Sequence, residues 1–93
     1  MLYILNKTSD ASIKELAIIS SGDDEKLVLF YSEAVFLATE ANLKRFADIG
    51  VDTFYAAKDA VEMRAMEVAD GVEVVDYDDI AGLFEDADKI ITL

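Results

Sequence analysis

The chain has no cysteine and no histidine, so the side chains that most often act as nucleophile or proton carrier near neutral pH are missing from its 93 residues. Chemistry must come from hydroxyls, carboxylates, amines and guanidinium groups. Lys7, Lys58 and Arg64 stand after or near short apolar runs and close to segments that begin helices, where unpaired N–H groups and the helix dipole favour an anion. Ser32 and Asp59 fall at equivalent places. Lys7, Ser32, Lys58, Asp59 and Arg64 are therefore the candidate ligand-binding residues. Each also has an ordinary structural reason to be there: exposed lysines commonly flank strands, and Ser32, Asp59 and Asp76 are of the types that cap helix N-termini.

The run Asp76-Tyr77-Asp78-Asp79 has the carboxylates that a hard cation prefers. It lacks the glycine and the distal bidentate acid of a calcium loop and passes straight into the helical pattern Ile80, Leu83, Phe84, so capping acids are the better account. Glycine-rich phosphate loops and a serine nucleophile elbow are absent from the sequence. No catalytic residue, metal or cofactor is assigned.

The elements that must position these residues alternate. Segments 2–5, 26–31, 51–57, 72–76 and 89–92 are short and rich in β-branched or aromatic residues, and read as five strands. Between them, 12–21, 32–48, 59–69 and 77–86 read as helices. Ser12 with Glu15, Asp59 with Glu62, and Asp76 with Asp79 have capping-box spacing, and Gly22, Gly50 and Gly71 follow the first three helices where a left-handed residue is needed. Strands and helices in this order predict an α/β fold: a three-layer sandwich around a five-stranded, mostly parallel sheet, in one domain over 1–93. Ligands of such sheets bind outside the carboxyl ends of the strands, where Asn6, Lys7 and Thr8, Ser32 and Glu33, Lys58 and Asp59, and Asp76 and Tyr77 arrive. A receiver-type phosphoacceptor domain is excluded, because the third strand ends in Ala56-Ala57 where the acceptor aspartate should stand. Ala34-Val35-Phe36-Leu37-Ala38 is apolar all round, which points either to a subunit contact or to deep burial within the monomer.

The net charge of −12 leaves no basic footprint for gripping a phosphate backbone, so direct nucleic-acid binding is disfavoured. Acid is concentrated from Asp70 to Asp88, with no basic residue until Lys89. This is either a solvated face or a docking face for a basic partner. No apolar run reaches membrane-spanning length and the N-terminus has no leader pattern, so the expectation is a cytoplasmic, unprocessed protein without membrane contact.

Several of these segments together resemble the DsrE/DsrF/DsrH-like sulfur-relay family, and within it the DsrH or TusB branch. They are the start Met1-Leu2-Tyr3-Ile4-Leu5, the stretch from Asp23 to Phe30 leading to Ala34-Val35, the run from Val51 to Met66 with Tyr55-Ala56-Ala57-Lys58-Asp59 and Arg64, and Val74 to Ile80. The resemblance implies a parallel sheet between helices and assembly as a homodimer or higher oligomer, or with DsrE- and DsrF-like paralogues. It also implies a place in the passage of persulfide sulfur toward thiolation of the tRNA wobble uridine, or in sulfur oxidation. Many relatives carry a cysteine for this, and here there is none. The resemblance therefore implies a non-catalytic subunit. The alternative is a free-standing homo-oligomer that binds a small anion or metabolite at the strand ends.

Overall fold

Short apolar runs meet their partners in a five-stranded sheet, every pair parallel, in a computed structural model that describes residues 1–8, 14 and 25–92. The strands are β1 (Leu2–Leu5), β2 (Leu27–Phe30), β3 (Thr53–Ala57), β4 (Val72–Val75) and β5 (Ile90–Thr92), in the order β4-β3-β2-β1-β5. The expected strands are right in number and place, trimmed by up to two residues at their ends. Because Leu2 is registered with Ile90, the two ends of the described chain are tied into one sheet.

The connections divide between the two faces of that sheet. A 3₁₀ helix (Ser32–Leu37), α1 (Glu40–Asp48) and α2 (Lys58–Met63) pack on one face, with Tyr3, Leu5, Val28, Phe30 and Ala56 beneath them. There Phe30, Phe46 and Phe54 form a closed trio with ring centroids 5.7, 6.2 and 6.3 Å apart, two contacts edge-to-face and one stacked. Each such contact adds about 0.5–1.5 kcal/mol beyond the area it buries. On the other face α3 (Tyr77–Asp86) lies over Leu2, Leu29 and Val75. Helices on both faces make the three layers that the sequence predicts. The expected helix 12–21, its Ser12–Glu15 box and Gly22 lie outside the described residues, apart from Lys14, which is helical and exposed.

Two helices differ from expectation. The span 32–48 is divided: the 3₁₀ turn ends at Ala38, whose carbonyl accepts from the Ala69 N–H at 2.9 Å, and Thr39 opens α1 as its N-cap by accepting from Asn42. The span 59–69 stops at Met63. Ala65 takes a left-handed φ of 47°, its N–H bonds Glu62 O, and the Met66 N–H bonds Val61 O, which together close a Schellman turn. α1 ends the same way at Gly50, with φ 95°. Gly71 is thus not the cap of α2; an alanine does that work. Of the apolar run 34–38, all but Phe36 is buried within the monomer, so those four residues no longer argue for a subunit contact.

Of the expected caps, Asp76 holds. Asp79 N–H donates to Asp76 Oδ1 at 3.0 Å and Asp76 N–H donates to Asp79 Oδ2 at 3.4 Å, the reciprocal pair of a capping box. Ser32 and Asp59 are not caps. The 3₁₀ helix is preceded by Tyr31 and α2 by Ala57, both without a side-chain cap bond, because each helix starts one or two residues earlier than its sequence signal.

Candidate functional site

The chain leaving β3 turns into α2 on one face, and the chain leaving β4 turns into α3 on the other. These neighbouring strands therefore part at their carboxyl ends, which is where open parallel sheets leave a crevice. It is small, 40 Å³, and is walled by Lys58 and Asp59 from one turn and by Asp76 and Tyr77 from the other. Tyr31, half exposed just past β2, forms a third wall and also borders two clefts beside the crevice. One of 160 Å³ is lined by Ser32, Asp59, Met63 and Arg64, and one of 300 Å³ is almost wholly apolar, with Ile4, Leu29, Ile80 and Phe84 around Asn6.

Four of the five candidate residues thus gather along this edge, while Lys7 is exposed and lines none of these clefts. Lys58 and Arg64 line different clefts of this edge, and Asp59 borders both. Lys58 reaches Glu62 at 4.0 Å across one helical turn, and its charge acts on Asp76. Arg64 turns back to donate to Ala60 O at 3.4 Å, and the Asp59 carboxylate shares its cleft. α2 is only six residues long, so its dipole adds little.

The Asp76 carboxyl is held below its ordinary value of 3.8, first by the Asp79 N–H and then by further hydrogen bonds and Lys58. Ser32 has φ 53°, a left-handed conformation that costs a non-glycine residue about 1–3 kcal/mol. It is held by its neighbours: the Tyr31 N–H bonds Leu5 O at 2.8 Å and the Ala34 N–H bonds Tyr31 O at 3.1 Å. Aromatic walls and charged side chains therefore alternate along this edge.

Two larger clefts lie along the opposite flank of α3. One of 420 Å³ is bordered by Met1, Glu25, Tyr55, Asp86 and Asp88; one of 330 Å³ by Tyr55, Glu73, Asp78, Asp79 and Asp86. The Met1 ammonium pairs with Asp88 at 3.2 Å, which lowers the Asp88 pKa. Burial, then Glu73 and Glu25, push the Tyr55 phenol up from its ordinary value. Among the described residues no three acids converge as a metal-ligand set.

Tyr31 and Tyr55 are the site residues that sequence reasoning passed over. Both were absorbed into strands. Period-2 alternation puts Tyr55 on the same face as Leu29, its registered partner, and so away from the aromatic trio.

No family model matches the sequence, and no curated protein matches it. Among solved structures, the crystal structure of the ychN protein from E. coli matches with a TM-score of 0.74 at 16% identity, covering 99% of this chain and 97% of that one. The likeness establishes the fold: an α/β sandwich of the DsrEFH kind, shared with the ychN protein over essentially its whole length.

Proposed function

We propose that this chain is a non-catalytic subunit of a sulfur-relay assembly, serving tRNA wobble-uridine thiolation or sulfur oxidation by contact with its partners. The carrying observation is the conjunction of a DsrEFH-type fold over the whole chain with a sequence that has no thiol. The thiolate is the nucleophile and carrier in sulfur exchange, so this chain must leave that step to another. Its partners are DsrE- and DsrF-like paralogues bearing the cysteine, with or without further copies of itself, in the cytoplasm. At −12 it is not the member that holds tRNA. No helix among the described residues is long and apolar enough to cross a membrane.

The competing reading, a homo-oligomer that binds a small anion, is weakened by Asp59 sharing the cleft of Arg64 and by the bond that Arg64 makes to Ala60. Incubation with an isotopically labelled persulfide donor separates the two. The relay reading expects the chain alone to keep its mass, and sulfur to load on a cysteine-bearing DsrE-like subunit faster when this chain is present. A sulfur adduct on this chain, or loading indifferent to it, would overturn that reading.

A further inference from the structure

α3 is ten residues long and has no fully buried residue, although it is the helix that packs on its face of the sheet among the described residues. Its two flanks carry different chemistry. Toward β1, Tyr77, Ile80 and Phe84, spaced three and four apart, border the apolar cleft over Ile4 and Leu29, with Tyr31 opposite. Tyr77 is 81% exposed, Tyr31 50% and Phe84 41%. Aromatic side chains around one open apolar cleft have the composition of an interface core.

Toward β4 and, past Tyr55, toward the amino ends of β1 and β2 the flank is acidic. Glu25, Glu73, Asp78, Asp79, Asp86 and Asp88 border the two adjoining clefts, and no lysine or arginine among the described residues does so. The one cation there is the Met1 ammonium, already paired with Asp88. Such a field attracts cations and repels a like-charged surface.

We infer that the α3 face is a docking surface for a partner protein presenting an apolar ridge bordered by lysine or arginine side chains. Charge decides the occupant. A second copy meeting this face with its own would set Asp78, Asp79 and Asp86 against equally acidic neighbours, and the acidic clefts are lined by no lysine or arginine to offset them. The apolar cleft takes the ridge, and the acidic flank, one helix width away, takes the cations. The inference deepens the reading above, and rests on it only in taking the occupant to be a protein.

The probe is a synthetic amphipathic peptide of about 14 residues, roughly 21 Å as a helix, with a leucine and phenylalanine stripe flanked by lysine. It is titrated into the isotope-labelled full chain and followed by backbone amide chemical shifts. The expected result is saturable binding, with shifts confined to α3, Tyr31 and Tyr55. Raising the salt from about 50 to 500 mM should weaken binding at least about tenfold. The double variant Y77A/F84A and the double variant D78K/D86K should each do so by about tenfold, with the chain still folded and melting temperatures lowered by no more than several degrees. The inference fails if no binding occurs, if glutamate-flanked or stripe-less lysine peptides bind as well, or if the shifts map elsewhere. It also fails if α3 resonances move with protein concentration alone, since the occupant would then be a second copy. Peptide binding without any effect on sulfur loading keeps the surface and removes the relay reading; the reverse result removes the surface and keeps the relay.

Discussion

The two faces of the sheet are filled to different degrees. Beneath the 3₁₀ helix, α1 and α2, the strand residues Tyr3, Leu5, Val28 and Phe30 are completely buried, and Phe46 closes an aromatic trio above them. Beneath α3, Leu2 and Leu29 are buried, but Ile4, Leu27 and Tyr55 are partly accessible, and Ile90, registered beside Leu2, is exposed. One face is a finished core. The other stops short of one and carries acid where a core would carry leucine. Most of the buried core thus lies on one side of the five strands, and the docking surface proposed above lies on the other.

The largest expected effect contrasts two phenylalanines. Phe46→Ala leaves a cavity in the trio and should cost about 3–5 kcal/mol, whereas Phe84→Ala on the open face should cost under about 1 kcal/mol. Urea denaturation measures both. Equal losses would mean that the α3 face is as much core as the other, and the contrast would be gone.

Helix ends sharpen the contrast on the buried side. Gly50 has φ 95°, and an added Cβ would stand 3.4 Å from Lys26 Nζ, so Gly50→Ala should destabilise by about 1–3 kcal/mol. Ala65 does the same job without being glycine, and Ala65→Gly should stabilise by roughly 0.5–1 kcal/mol as the left-handed strain is relieved. A destabilised A65G in thermal melts would show that α2 does not end in this turn.

Acid should act on the open face first. Asp76 and Asp88 both have pKa values below their ordinary 3.8 in the folded chain, Asp76 chiefly through the Asp79 N–H and Asp88 chiefly through the Met1 ammonium. Their contributions are therefore complete above 3.8 and disappear as pH falls through the lower folded values. Amide exchange at falling pH should rise in the first turn of α3 before it rises in β2 or α1, and Asp76→Asn, which keeps a cap but cannot titrate, should flatten that response. Simultaneous loss of protection on both faces would contradict the division.

Much of the fold was legible because its signals are local. Five short apolar runs gave five strands, Asp76-x-x-Asp79 gave the start of α3, and Gly50 gave the end of α1. What was not legible depends on tertiary contacts. The break at Ala38 is held by a hydrogen bond from Ala69, thirty-one positions later, and the end of α2 at Ala65 has no glycine to announce it. Ser32 and Asp59 looked like caps because only residue type was visible; the turns begin at Tyr31 and Ala57 instead. At the site, the strand-end rule brought Ser32, Lys58, Asp59 and Arg64 to one edge, but it could not show that Lys58 and Arg64 turn to partners within their own helix turn. Tyr31 and Tyr55 became visible as walls only once register fixed which face each strand residue takes.

On the function proposed above, this chain works by contact and carries no sulfur. Native mass spectrometry of the chain purified from its own cells at low salt tests it most directly. The expected result is a complex that contains a cysteine-bearing paralogue, with this chain present at its unmodified mass and released as the salt is raised, as an acidic docking face requires. A chain found alone or only with copies of itself, or one carrying added sulfur, would contradict it.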